Sequence, residues 1–174
     1  MQLNQAIRLI SHPSVNTVSK TVWADLGCGD GIFSYALANI ISPGSMIHAV
    51  DKNKISPPPL PANEKIRINP VQLDFIKDEL PFSSLDGILM ANSLHYVKDK
   101  ISLLEKLKKY LNPHHQFIIV EYDTIHANQW VPFPINFTQV EKLFFQAGYN
   151  SVIKVNETPS VYRRDNIYSA LIAN

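Results

Sequence analysis

Two rhythms of apolar residues alternate along the chain. Between residues 3 and 10 apolar residues recur at 3, 6, 7 and 10, a spacing that gathers them on one side of a helix. His12-Pro13 follows, and the residue before a proline is pushed out of the helical region. Residues 21–26, TVWADL, instead make a short apolar run interrupted by Asp25 and stopped by Gly27, Gly29 and Gly31. Such a run bounded by turn residues reads as a buried strand. Helical spacing resumes over residues 32–41, and Pro43-Gly44 turns the chain.

The alternation then repeats. Residues 45–51 (SMIHAVD) predict a second strand that ends on an acid. IRINPVQLDF, residues 66–75, predicts a third that ends near Asp74, with Pro70 ahead of its main run. Between these two stand four prolines at 57, 58, 59 and 61, which exclude a regular helix and predict an extended covering loop. Residues 85–92 predict a fourth strand. In 99–111 Ile101, Leu104, Leu107 and Leu111 mark the inward stripe of a surface helix, ended by Asn112-Pro113. HQFIIVEYD, 115–123, reads as a fifth strand, and a proline-broken loop at 130–137 follows. Thr138 with Glu141 predicts a capping box, and Gly148 the end of that last helix. Residues 150–157 and 166–174 predict an antiparallel strand pair. Strand and helix alternating in this way predict an α/β fold, a doubly wound seven-stranded, mostly parallel sheet with an antiparallel C-terminal pair. Ligands bind such sheets beyond the carboxyl ends of the strands, where the order reverses.

Composition narrows the function classes. The 174 residues are 45% hydrophobic and 18% charged, which predicts one domain over residues 1–174 with a short N-terminal helical extension, 1–20. The formal net charge of +1 gives no electrostatic reason to expect nucleic acid or a membrane surface as partner. Cys28 is the only cysteine, which excludes an intrachain disulfide and a cysteine-based metal cluster. MQLNQAIRLI has no basic segment followed by a long apolar one, and no apolar run is long enough to span a bilayer. A soluble, cytoplasmic protein without a resident metal is the expectation.

Chemistry concentrates at the glycines. A pyrophosphate-binding loop has the spacing G-x-G-x-x-G, but the third glycine here comes one position early and Asp25 heads the series, giving D-x-G-x-G-x-G. An acid at that place disfavours pyrophosphate and favours an ammonium or sulfonium group. The segment ADLGCGDG resembles the first motif of the class I S-adenosylmethionine-dependent methyltransferases, and later segments follow the same family order. HAVDKN is similar to the second motif, which implies that Asp51 holds the ribose hydroxyls. VQLDF is similar to the third, which implies adenine contacts from Asp74 and Phe75. LDGILMANSLHYV resembles the fourth, which implies that Asn92 lies near the methionine moiety, with His95 and Tyr96 on the acceptor side. The cofactor set implied by the resemblance is therefore Asp25, Gly27, Gly29, Gly31, Asp51, Asp74, Phe75 and Asn92, and the cofactor is S-adenosylmethionine.

Each residue also has a plainer role open to it. Asp51 and Asp74 can cap the segments that follow them, and His95 can be a packed wall. His114-His115 read as solvated loop residues, and Cys28 as a small filler. Methyl transfer requires a base only when the acceptor arrives protonated, and His95 first, Asp123 second, are the candidates. The adenine-methylating signature of Asn or Asp, two prolines and an aromatic is absent, since the chain reads NSLHYV. The expected activity is methyl transfer to a small molecule. A catalytically silent, cofactor-binding subunit with a protein partner, a homodimer and a nucleotide-dependent oxidoreductase stay open.

Overall fold

In the computed structural model, which describes residues 1–15, 18–55, 65–160 and 165–174, helices and strands follow the predicted order. They are α1 (Leu3–Ile10), β1 (Val22–Leu26), α2 (Ile32–Ala38), β2 (Met46–Asp51), β3 (Arg67–Gln72), β4 (Leu85–Ala91), α3 (Lys100–Lys108), β5 (Leu111–Tyr122), α4 (Phe137–Gln146), β6 (Ser151–Pro159) and β7 (Asn166–Ala173). A 3-10 turn at Leu94–Tyr96 joins β4 to α3. The sheet order is β3-β2-β1-β4-β5-β7-β6. The first five strands pair in parallel, and β7 runs antiparallel to both β5 and β6.

Alternate strand residues face opposite layers. Trp23, Ile47, Leu89 and Ile118 pack with α1 and α2, whereas Ala24, Ile88, Phe117 and Ile119 pack in the core of α3 and α4. Burying a side chain of this size contributes roughly 1.5–3 kcal/mol. Trp23 lies across Gly87, where an added Cβ would stand 2.4 Å from its ring. A larger residue at 87 would displace the tryptophan.

Local chemistry shifts several boundaries. The cap that starts α4 is not Thr138 with Glu141 but Asn136 with Gln139: the Asn136 side chain accepts from Gln139 N at 2.9 Å, and the Gln139 side chain accepts from Asn136 N at 3.0 Å. Asn is as good an N-cap as Thr, and Phe137 packs against the core from inside the helix. Pro70 sits within β3 rather than ahead of it, which an edge strand tolerates because one side of its ladder is unpaired. β5 starts at Leu111, earlier than 115, with Pro113 where its pairing with β4 shifts register. The proline segment 57–61 lies outside the described residues. No helix among the described residues is long and apolar enough to cross a membrane.

Candidate functional site

The order of the sheet reverses between β1 and β4, and the cleft opens at their carboxyl ends. β1 ends in a loop whose three glycines all have positive φ, +80° at Gly27, +57° at Gly29 and +88° at Gly31, a region costly for other L-residues. Their reasons differ. A Cβ on Gly27 would lie 2.5 Å from Ser93 Cβ, so this glycine lets the loop close against the end of β4. A Cβ on Gly29 would meet nothing within 4 Å; this is where the loop faces open space. Gly31 is the N-cap of α2.

Backbone hydrogen bonds hold the loop to β2. Gly27 N and Cys28 N donate to Val50 O at 2.8 and 3.0 Å. Gly29 N donates to Asp51 Oδ2 at 2.9 Å, and Asn53 N to Asp51 Oδ1 at 2.8 Å. Asp51 therefore orders the loop and also lines the cleft, with lone pairs left over for a ligand. On the β4 side Ser93 Oγ donates to Leu26 O at 2.6 Å and ties the two strand ends together. The enclosed volume is about 660 Å³, within the range of roughly 300–1,000 Å³ of small-molecule sites.

Of the residues expected at a cofactor, Gly27, Gly29, Asp51, Asp74, Phe75 and Asn92 line this one cleft. Asp74 also takes the plainer role open to it, accepting from Ile76 N at 3.1 Å. Its turn is held by Lys106 of α3, whose ammonium donates to Phe75 O and Ile76 O at 3.2 and 3.3 Å. Asn92 adopts φ +52°, which costs Asn less than most residues. Its Oδ1 is buried without a hydrogen-bond partner, a condition that asks for a ligand or water donor.

Four expected site residues are not among those that line the cleft. Asp25 is fully buried and bonded to Ser34 Oγ of α2 at 2.6 Å, because its position in β1 alternates toward the α1–α2 layer. Burial pushes its carboxyl up to about 7; the Ser34 hydroxyl acts in the opposite sense and the Asp51 charge adds to the rise. Asp25 thus supports the loop from below. Gly31 serves α2 instead of the cleft. Asp123 bonds Phe137 N at 3.1 Å and Lys154 Nζ at 3.3 Å, anchoring α4 and β6.

His95 is the fourth, 2% exposed behind Tyr96, their ring centroids 4.4 Å apart. Glu121 of β5 accepts from His95 N at 3.0 Å and lies 2.6 Å from His95 Nδ1. Phe133 N donates to His95 O at 3.0 Å. Tyr96, expected on the acceptor side, stands half exposed on the cleft wall. Asp30 and Ser93 also line the cleft although the sequence did not single them out; their one signal was adjacency to motif positions. Cys28 lines the cleft too, and burial with the Asp25 and Asp51 charges raises its thiol well above the ordinary range, so it stays protonated. Among the described residues no group of three His, Cys, Asp or Glu is placed to hold a metal ion.

Comparison with known proteins agrees with this fold. The family described as Methyltransferase domain matches residues 24–114, just over half of the chain. No curated protein matches the sequence significantly. Among solved structures, the Burkholderia thailandensis 1,6-didemethyltoxoflavin-N1-methyltransferase, bound to 1,6-didemethyltoxoflavin and S-adenosylhomocysteine, superposes with a TM-score of 0.72 at 18% identity, covering 99% of this chain and 77% of that one. The Haemonchus contortus phospholethanolamine N-methyltransferase 2, bound to phosphomonomethylethanolamine and S-adenosylhomocysteine, gives 0.71 at 13% identity, with 98% and 52% covered. A Nostoc punctiforme protein gives 0.67 at 15% identity, with 99% and 56% covered. The chain thus spans little more than half the length of two of these three, and at these identities the likeness is one of fold. The chain belongs to the class I S-adenosylmethionine-dependent methyltransferase family.

Proposed function

We propose that this protein moves the methyl group of S-adenosylmethionine to a small-molecule acceptor. The observation that carries the reading is the shared cleft in which Gly29 leaves open space beside Asp51, with Asp74, Phe75 and Asn92 on the remaining walls. Asp51 would accept from the ribose hydroxyls, Asp74 from the adenine amine, and Phe75 would pack on the ring. The unpartnered Asn92 Oδ1 suits the ammonium of the methionine portion. Asp30, Asp51 and Asp74 give the walls three side-chain carboxylates against the side-chain ammonium of Lys52 and the terminal ammonium of Met1, a balance that favours a cationic ligand.

When bound, the cofactor supplies an electrophilic methyl on sulfur. The residues then align the acceptor, and alignment alone lowers such barriers by roughly 7–11 kcal/mol. His95 Nε2, the ring nitrogen that does not face Glu121, is the atom assigned to take the acceptor's proton. Tyr96 is the exposed acceptor-side wall. Two structural relatives were crystallised with small-molecule partners beside S-adenosylhomocysteine, which supports an acceptor of that size.

Incubation with methyl-tritiated S-adenosylmethionine and a fractionated metabolite extract tests this. The expected result is label in low-mass product, lost in His95→Ala; label only in macromolecules would contradict the acceptor class. One observation favours a second reading, a catalytically silent subunit: neither His95 nor Asp123 lines the cleft. That reading predicts cofactor binding with no labelled product from any fraction.

A further inference from the structure

We propose that Glu121 is the positioning residue of the acceptor side, holding the neutral His95 ring with its proton on Nδ1 and its lone pair on Nε2. The proposal rests on the assignment of His95 as proton acceptor. Glu121 and His95 lie 26 residues apart, on β5 and on the turn after β4, with side-chain exposures of 1% and 3%. Glu121 Oε1 accepts from the His95 backbone N–H at 3.0 Å. A backbone N–H can only donate, so this oxygen is an acceptor whatever the proton balance of the pair. The other oxygen faces His95 Nδ1 at 2.6 Å, the short separation of a charge-assisted bond. An ionised carboxylate has no hydrogen to give, so the ring donates from Nδ1. The neutral ring then has one proton, and Nε2 is left as the base.

The groups packed around the pair include one cation. Lys100, on α3, brings its ammonium into the same region and donates to Val97 O at 2.8 Å and Phe133 O at 3.0 Å. Burial pulls the Lys100 ammonium below its ordinary range, and the Glu121 charge acts against that by supporting its protonation. Other titratable groups near the pair include Tyr96 and Tyr122, whose rings face His95, and Tyr168 on β7, which also feels Asp123. Burial raises the Tyr168 hydroxyl, and the charges of Glu121 and Asp123 add to the rise. Tyr168 is committed as a donor to Ile135 O at 2.9 Å. The same double contact fixes the ring's tilt, since the main chain and the imidazole of one residue grip one carboxylate.

The isosteric Glu121→Gln variant separates positioning from packing. Its amide oxygen must still receive the His95 backbone N–H, which turns the NH2 group toward Nδ1. Nδ1 then becomes an acceptor and the proton moves to Nε2, an inversion of tautomer at nearly constant shape. Serine proteases obey the same logic: exchanging the triad aspartate for asparagine leaves the geometry intact and gives the histidine the wrong tautomer.

Long-range ¹⁵N–¹H NMR of the full chain, at a pH where the ring is neutral, reads the tautomer directly. The expected result is Nδ1–H for His95 in the wild type and Nε2–H in Glu121→Gln, with a wild-type fold by amide spectra. Glu121→Asp, which keeps a carboxylate, is expected to retain Nδ1–H. Nε2–H in the wild type, a ring protonated on both nitrogens at pH 8, or one tautomer shared by wild type and Glu121→Gln would overturn the proposal. The measurement needs no methyl acceptor. Failure of His95 as the base would instead appear as unchanged turnover in His95→Ala, with the tautomer result untouched.

Discussion

On the β1–β2 side of the cleft the chain presents mostly backbone. Three positive-φ glycines, the amides of residues 27–29 and a carboxylate at the end of β2 form one ladder around open space. On the β4–β5 side it presents side chains already committed to one another: Ser93 to Leu26, His95 to Glu121, Lys100 to Phe133, Asp123 to Phe137 and Lys154. The first half is shaped to receive a ligand with little rearrangement. The second is a braced wall from which one exposed ring, Tyr96, projects. A cofactor shared by a family needs the first kind of surface, and an acceptor particular to one enzyme is selected by the second.

The largest expected effect separates two glycines within the first half. Gly27→Ala combines a left-handed backbone with a Cβ 2.5 Å from Ser93, and should lower stability by about 2–5 kcal/mol. Gly29→Ala carries the backbone strain without the clash, about 1–2 kcal/mol, and its main loss should be cofactor affinity. Denaturant melts and ligand titrations of both variants check this; equal stability losses would erase the distinction between a packing glycine and a ligand-facing one.

Asp25 gives the next effect. Its carboxyl, raised by burial from 3.8 to about 7, keeps its proton in the folded state over a window where the unfolded chain has lost it. The native state binds more protons between about pH 4 and pH 7, so this group's contribution to stability falls as pH rises through that window, by at most about 4 kcal/mol. Asp25→Asn removes the ionisation. The variant should gain on the wild type between about pH 4 and pH 7 in urea melts and hold that gain above it, and parallel pH profiles would show that Asp25 is not a buried acid.

Asp51→Ala should weaken cofactor binding by about 1.5–3 kcal/mol, the range for a hydrogen bond to a charged group. Asp123→Ala should be the mildest, about 0.5–1.5 kcal/mol of stability through the lost Phe137 N–H partner, with cofactor affinity unchanged. A drop in affinity there would place Asp123 in the site after all.

The same contrast explains what could be read from the chain. That the glycine loop, Asp51, Asp74 and Phe75 share one cleft was legible because each is set by a local motif near a strand end, and the sheet order then brings those ends together. The β4–β5 wall was not, because its contacts join distant positions: 26 residues separate Glu121 from His95 and 31 separate Lys154 from Asp123. Asp25 stands next to the glycines in sequence, yet strand alternation turns it toward α2, where it bonds Ser34. The α4 cap was displaced by two residues because Asn136 and Thr138 are both competent caps and the packing of Phe137 decides between them. Residues 56–64 and their prolines lie outside the described residues, so the extended covering loop predicted there stays an expectation.

The most direct test of the cofactor assignment is calorimetric titration of the full chain with S-adenosylhomocysteine, with NADH as the comparison ligand and Asp51→Ala as the control. The account predicts saturable binding of S-adenosylhomocysteine, none of NADH, and an affinity roughly 10- to 150-fold weaker in the variant. Preference for NADH, or S-adenosylhomocysteine binding unaffected by Asp51→Ala, would contradict it.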